Sequence, residues 1–255
     1  MLSRRNLFTL GLSRAAERVA EELDQKLPDS PARRAGPPSK PRVPARPGVP
    51  PPAPAWAHKH ASELWAPVSA ALPRPPGARV LEVDELRFDL AQLPFEDAAF
   101  DTAVSAFAPM FSSDCAGAIG ELMRVVVPGG LVAFTAWTPA GIVGRLLRLA
   151  EEHDPPRPGT SAPMDWSREE RLREELSRHS DDFELRPGGL TLSFASREEA
   201  SQRLFASFRP LAWATRQHEL RDLAAPVIDE LARDADGRVT LRATYVMAVA
   251  RRRSA

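Results

Sequence analysis

A block of prolines divides the sequence into two unequal parts. Of the 26 prolines in the 255 residues, eleven lie between Pro28 and Pro54, where Val43 and Val49 are almost the only apolar side chains. Such a segment cannot bury enough surface to offset the entropy lost on ordering. We therefore predict three parts: an amphipathic helix over residues 1–27, a proline-rich disordered linker over 28–55 and one folded domain over 56–253.

The N-terminal arm, residues 1–55, leaves two functions open. The spacing of Pro38, Pro41 and Pro44 suits a protein partner that binds extended proline-rich segments, and a plain spacer is the alternative. Arg4 and Arg5 are typical of an export signal. Charged residues soon interrupt the apolar stretch that follows them, which favours an ordinary amphipathic helix and a cytoplasmic protein.

Composition narrows the class of partners and cofactors. The 34 basic residues balance the 34 acidic ones, which argues against a surface built for nucleic acid. Cys115 is the single cysteine, so neither an intrachain disulfide nor a thiolate zinc site is expected. His58 and His60 do not share a helix face, and we predict no metal site. No run approaches the roughly 18 apolar residues of a membrane span.

Hydrophobic periodicity beyond the arm alternates between strands and helices. The sequence predicts strands at 79–83, 86–90, 100–107, 131–137, 190–195 and 239–250, with helical patterns at 56–72, 116–127, 141–153, 167–179 and 197–235. This alternation indicates a layered α/β domain. The last two strands flank a helical stretch, which predicts an antiparallel pair at the C-terminal end.

Three motifs follow one another in the first half of this domain. They are D-x-x-x-L-P-F-x-D over Asp89–Asp97, F-D-x-x-x-S over Phe100–Ser105 and L-x-R-V-x-x-P-G-G over Leu122–Gly130. In this order they resemble class I S-adenosylmethionine (SAM) dependent methyltransferases of type 11. The resemblance covers about residues 65–251 and implies a Rossmann-like sheet, SAM as cofactor and a small-molecule methyl acceptor.

The resemblance also implies which residues line the site, because ligands of open α/β sheets bind at the carboxyl ends of the strands. On the cofactor side it places Glu82, Asp89, Leu90, Ser105, Ala106 and Phe107. Near the acceptor we place Trp137, together with His153 as a general base. Two of these assignments have structural alternatives: Asp89 as a turn residue and His153 as an ordinary helix-end residue.

The spacing after Val83 departs from the family pattern. Only five residues separate Val83 from Asp89, and no glycine occurs between Gly77 and Gly117. A crossover between parallel strands needs about a dozen residues or more, so the glycine-rich loop and its βαβ unit are lacking and the sheet is reduced to about five strands. Two functions remain open: a SAM-dependent methyltransferase, or a non-catalytic relic that acts as a binding or scaffold protein. A gene product that has lost a segment is the third explanation.

Overall fold

The computed structural model describes residues 64, 66–83, 90–156, 158–207, 217–235 and 237–254. The predictions for the N-terminal arm, for residues 84–89 and for Asp89 itself therefore lie outside the described residues. Leu90, the described end of the strand predicted at 86–90, lies in a turn. All the following statements concern the described part of the chain.

A six-stranded open sheet forms the centre of the domain. Its strands are β1 (Val80–Glu82), β2 (Phe100–Ser105), β3 (Val126–Trp137), β4 (Phe183–Phe194), β5 (Arg233–Ala235) and β6 (Arg238–Arg251). The strand order is β1-β2-β3-β6-β4, and the short β5 also pairs with β6. Strands β1, β2 and β3 run parallel, whereas β6 is antiparallel to both β3 and β4. The predicted α/β class and the C-terminal antiparallel pair are confirmed, and β5 brings the predicted number of about five strands to six.

Helices cover both faces of this sheet. They are α1 (Cys115–Val125), α2 (Ile142–His153), α3 (Glu169–His179), α4 (Arg197–Ser207) and α5 (Gln217–Leu231). Helices α1 and α3 pack together, and α2 and α4 both pack on α5. Each group also contacts the sheet, so every residue of β2 is buried although the strand contains Asp101 and Thr102. Continuous burial is the usual state of parallel strands covered by helices.

Strand β3 begins earlier than the sequence predicts. We expected Pro128, Gly129 and Gly130 to separate helix α1 from a strand at Leu131, but β3 starts at Val126 and includes them. The backbones approach closely here, because a Cβ on Gly130 would lie 2.7 Å from the carbonyl oxygen of Asp101. Glycine therefore allows the irregular register between β2 and β3.

Candidate functional site

The carboxyl ends of the three parallel strands are tied together by hydrogen bonds. The hydroxyl of Ser105 at the end of β2 donates to the carbonyl of Val83 beyond β1, at 2.9 Å. The backbone N–H of Phe107 donates to the hydroxyl of Thr135 on β3, at 3.1 Å. Both bonds are buried, where hydrogen bonds are strong and few waters compete for them. The strand ends therefore form one connected edge, which in an open α/β sheet is the ligand-binding edge.

Three aromatic side chains meet at this edge. The ring of Phe107 lies parallel to that of Trp137, with the centroids 3.8 Å apart and an interplanar angle of 5°. Tyr245 is the residue of β6 in register with Trp137, and it presents its ring edge-on to both rings. All three side chains are buried, and burial raises the pKa of the Tyr245 phenol. We call these three residues the aromatic cluster.

The backbone of Phe107 adopts a conformation that is rare for a bulky residue. Its φ of 67° lies in the left-handed region, where residues other than glycine are uncommon. Such a conformation costs on the order of 1–3 kcal/mol and persists where the surroundings impose it. The hydrogen bond to Thr135 and the ring contact with Trp137 are two such restraints.

A short 3-10 helix, Ala108–Phe111, follows Phe107 and covers the cluster from one side. The sulfur of Met110 accepts the backbone N–H of Trp137 at 3.3 Å, and the Met110 side chain is fully buried. Met110, Thr135 and Tyr245 each bring a neutral group into contact with the stacked pair. The strand-end site is thus apolar and aromatic in character.

Glu82 lies at the same sheet edge but faces outward. Its carboxylate forms an ion pair with Arg74 at 3.0 Å and accepts the hydroxyl of Ser69 at 2.9 Å, while its side chain is more than half exposed. Leu90 is buried in the hydrophobic core. Ala106 is partly buried and packs against that core. Of the six residues predicted on the cofactor side, Ser105, Ala106 and Phe107 lie next to one another at the end of β2.

His153 lies at the C-terminal end of helix α2, beside helix α5. It is the last residue of α2, about 16 Å along the helix axis from Ile142 at a rise of about 1.5 Å per residue. Its Nε2 lies 3.8 Å from a carboxylate oxygen of Glu219 on α5. The position of this ring is consistent with a contact between two helices, and its predicted role as a base stays a prediction.

Sequence reasoning missed Thr135, Met110 and Tyr245. A buried threonine within an apolar strand was the only signal for Thr135, and the motif carries none for Met110. Tyr245 joins the site because β6 lies beside β3, which depends on tertiary pairing. Tyr245 is the only tyrosine of the sequence, but the sequence contains no pattern that assigns this residue to the site.

Two further properties concern the described residues alone. None of their His, Cys, Asp and Glu side chains form a group of three that could hold a metal ion. None of the helices in this part of the chain combines the length and the apolar character needed to cross a bilayer.

Parallel strands ending at a shared ligand edge, with helices on both faces, define a Rossmann-like α/β protein. Residues 62–134 match the family described as a methyltransferase domain, of type 11. This segment contains all three sequence motifs and the strand ends up to Phe107. This segment therefore matches a methyltransferase domain, and the resemblance found in the sequence is confirmed over these residues. The predicted lack of the glycine-rich loop stays a prediction.

Curated relatives match parts of the chain. A protein of Mycobacterium tuberculosis without an assigned function is 42% identical over 81 residues, which are 30% of this chain and 28% of the relative. A demethylmenaquinone methyltransferase of Thermus thermophilus is 41% identical over 85 residues, or 32% of this chain and 39% of the enzyme. The chain therefore spans well under half of the length of these two relatives.

Two solved structures with a similar arrangement are methyltransferases of low sequence identity. A SAM-dependent methyltransferase of Thermotoga maritima is 14% identical, with a TM-score of 0.40 over 78% of this chain and 92% of the other. A phosphoethanolamine N-methyltransferase of Haemonchus contortus is 13% identical, with a TM-score of 0.35 over 65% of this chain and 36% of the other. The strand order described above, and not these scores, defines the fold.

Proposed function

We propose that this protein transfers a methyl group from SAM to a small-molecule acceptor at the carboxyl edge of β1, β2 and β3. The observation that carries the proposal is the connected edge itself: Ser105 bonded to Val83 and Phe107 bonded to Thr135, mostly within the segment that matches the methyltransferase family. The finer assignments, including SAM and the roles of single residues, are part of this proposal.

The described residues fit one end of SAM. An aromatic ring attracts a cation such as a sulfonium. The rings of Phe107 and Trp137 stack on each other at the strand ends, so the sulfonium is proposed beside this pair and not between its rings. Ala106 is small and adds little bulk beside them. Glu82 is less available for the amino-acid end, because Arg74 and Ser69 already bind its carboxylate. Asp89 and Leu90 are proposed on the adenine side by family resemblance.

When bound, SAM supplies a methyl group on a positively charged sulfur. An oxygen or nitrogen lone pair of the acceptor forms the new bond to that methyl carbon, and the electrons of the carbon–sulfur bond stay on sulfur. The chain's own part is alignment and exclusion of water. The aromatic cluster and Met110 keep water from the edge, and Trp137 contacts the acceptor. His153 is proposed to take the acceptor proton, directly or through water.

Calorimetry with SAM and S-adenosylhomocysteine tests the proposal. We expect heat of binding at millimolar SAM and a higher melting temperature of the full chain, since a ligand that binds only the native state stabilises it. Ala106→Leu adds bulk at the end of β2 and should weaken binding. Ala116→Leu, a matched change at another partly buried alanine, should leave binding intact. No heat and no change in melting temperature would overturn the proposal.

A second function is favoured by the spacing after Val83. Five residues before Asp89 leave no room for the usual glycine-rich loop and its helix. We infer from this spacing the alternative of a non-catalytic methyltransferase relic whose proline-rich arm binds a protein partner. Replacing Pro38, Pro41, Pro44 and Pro47 with alanine in the full chain should abolish capture of that partner. Unchanged capture by this variant would contradict the alternative.

A further inference from the structure

A cavity of about 730 Å³ lies between the loop at residues 159–161, a second 3-10 helix (Pro163–Ser167) and the first half of α3. We propose that this cavity binds a part of the chain's own arm, the proline-rich and basic residues 30–55, which we call the basic segment. The inference goes beyond methyl transfer and does not depend on it. It gives the arm a binding site on the domain that follows it.

Hydrogen bonds fix the walls of this cavity to the rest of the domain. The backbone N–H of Ser161 donates to the carbonyl of Ser113 at 2.9 Å, and the backbone N–H of Cys115 donates to the hydroxyl of Ser161 at 3.3 Å. The backbone N–H of Met164, in the 3-10 helix, donates to the carboxylate of Glu151 at 2.8 Å. The cavity is therefore bounded by elements held on α1 and α2, and its volume is typical of a binding site.

The rim of the cavity carries three carboxylates and two guanidiniums. Asp165 forms an ion pair with Arg168 at 2.6 Å. Glu174 forms one with Arg171 at 3.0 Å. Glu170 is exposed and has no ion pair within the described part of the chain. Exposed ion pairs are weak, so an incoming cation can share their carboxylates as well as that of Glu170. The rim thus favours a positively charged occupant.

The charges of the sequence are divided unevenly between the arm and the domain. Residues 30–55 contain five basic residues and no acidic residue, whereas residues 56–255 contain 24 basic and 29 acidic residues. The five basic residues are Arg33, Arg34, Lys40, Arg42 and Arg46. The neutral total therefore combines a positive segment with a negative domain, and these two parts of the chain attract each other.

The basic segment is long enough to reach the cavity. Arg46 precedes Leu64, the first described residue, by 18 positions, and these span about 55 Å in an extended proline-rich chain at about 3.1 Å per residue. A domain of about 200 residues has a radius of gyration of only about 16 Å. Because the segment is tethered to the domain, its effective concentration is on the order of millimolar, so modest contacts suffice. The chain's own arm is thus favoured over a free basic peptide.

Carbodiimide coupling in the full chain tests the inference, because this reagent joins a lysine amine to a carboxylate that touches it. The lysines of the sequence are Lys26, Lys40 and Lys59, and only Lys40 belongs to the basic segment. At about 50 mM salt we expect Lys40 to couple about fivefold more to the carboxylates of the cavity than to those elsewhere on the domain. At about 1 M salt, where the Debye length falls to about 3 Å, this preference should disappear.

Peptide mapping of the coupled chain by mass spectrometry gives the outcome. Coupling of Lys40 spread evenly over the carboxylates of the domain would overturn the inference. A product of twice the mass of the chain would overturn it too, because the arm of a second copy would then be the occupant.

A matched pair of variants ties the contact to the cavity. Glu170 and Glu198 are both exposed, and each is the second residue of a helix, α3 and α4 respectively. Trypsin should cleave after Arg42 about threefold faster in Glu170→Gln than in the unmodified chain, because the segment loses one ionic contact and its protection. Glu198→Gln should leave the rate unchanged. Equal rates in the two variants would overturn the inference. Neither experiment uses SAM, so both results are independent of methyl transfer.

Discussion

The guanidinium of Arg252 donates to the backbone carbonyl of Arg124 at 2.7 Å, in the last turn of α1. The same nitrogen also donates to the carbonyl of Val126. The carbonyls at a helix C-terminus lack partners within the helix, and a basic side chain that reaches them both satisfies and stabilises them. Basic residues after the last strand could also contact phosphate or aid solubility, but Arg252 caps the C-terminus of a helix.

Removing this cap should destabilise the domain. Arg252→Ala removes this donor from both carbonyls, although the Arg124 carbonyl keeps the backbone N–H of Ala98, and we expect the free energy of unfolding to fall by about 1–2 kcal/mol. Urea denaturation measures the change. Arg242→Ala, at an exposed position of β6, is the control and should stay within about 0.5 kcal/mol. Similar losses for both variants would contradict the capping role.

A second arginine explains why two of the sequence motifs occur together. Arg124 of the motif L-x-R-V donates to the carbonyls of Leu93 and Phe95 and to the carboxylate of Asp97, all in the motif D-x-x-x-L-P-F-x-D. Glu121 binds Arg124 and also accepts the backbone N–H of Leu93, at 2.8 Å. These hydrogen bonds of Arg124 and Glu121 join α1 to the loop before β2, and we call them the clasp. The two motifs therefore have a structural role in this region.

Removing Arg124 from the clasp should lower the free energy of unfolding and should change how that free energy depends on pH in acid. Arg124→Ala removes the donor from two loop carbonyls, those of Leu93 and Phe95, and we expect the free energy of unfolding to fall by about 2–3 kcal/mol. The hydrogen bond from Arg124 is the largest cause that lowers the pKa of Glu121 below its ordinary 4.5. The stability from this shift is present above pH 4.5 and is lost as the pH falls through the lowered pKa. The variant should lose part of this acid sensitivity.

Urea denaturation between pH 3 and pH 7 measures both effects of Arg124→Ala. The control is Arg145→Ala, which removes a surface ion pair with Glu230 and should change stability by less than about 1 kcal/mol. An acid response identical to that of the unmodified protein would show that Glu121 does not depend on Arg124.

The sequence predicted those elements whose pattern is local. Apolar periodicity identified α1 and the buried strands β2, β3 and β6. It missed the first half of β4, because Pro187, Gly188 and Gly189 resemble a turn. Gly188 instead makes room for a side chain of the neighbouring strand, since a Cβ there would lie within 2.4 Å of the ring of Tyr245.

The candidate site was predictable only in part, for the same reason. The family motif places Ser105, Ala106 and Phe107 at the end of a strand, because that is a local property. The contact between Phe107 and Trp137 depends on a left-handed backbone at a residue other than glycine, which no sequence pattern signals. It also depends on β6 lying beside β3, which brings in Tyr245.

Glu151 should make stability depend on pH in the opposite direction to Glu121. Burial is the largest cause that raises its pKa above 4.5, although its carboxylate accepts the backbone N–H of Met164 at 2.8 Å. The folded state therefore holds this proton more tightly than the unfolded state. The stabilising contribution is complete below pH 4.5 and is lost as the pH rises through the raised pKa.

Glu151→Gln keeps an oxygen for Met164 and removes the charge. We expect this variant to be at least as stable as the unmodified protein at pH 7, with a smaller decline in melting temperature above pH 4.5. Glu151→Ala is the control that also removes the hydrogen bond, and it should lose about 1 kcal/mol relative to the glutamine variant. A glutamine variant less stable than the unmodified protein at pH 7 would contradict the assignment.

Cys115, the first residue of α1, should be unreactive in the native protein. A helix N-terminus can lower the pKa of a thiol, but burial raises the pKa of Cys115, and the carboxylates of Glu175 and Asp114 raise it further. The side chain is fully buried as well. Because the thiolate is the reactive form, Ellman's reagent should label the native chain far more slowly than the chain unfolded in urea. Cys115→Ser provides the blank. Equal labelling rates in the native and unfolded states would show that this thiol is accessible and ionised in the fold.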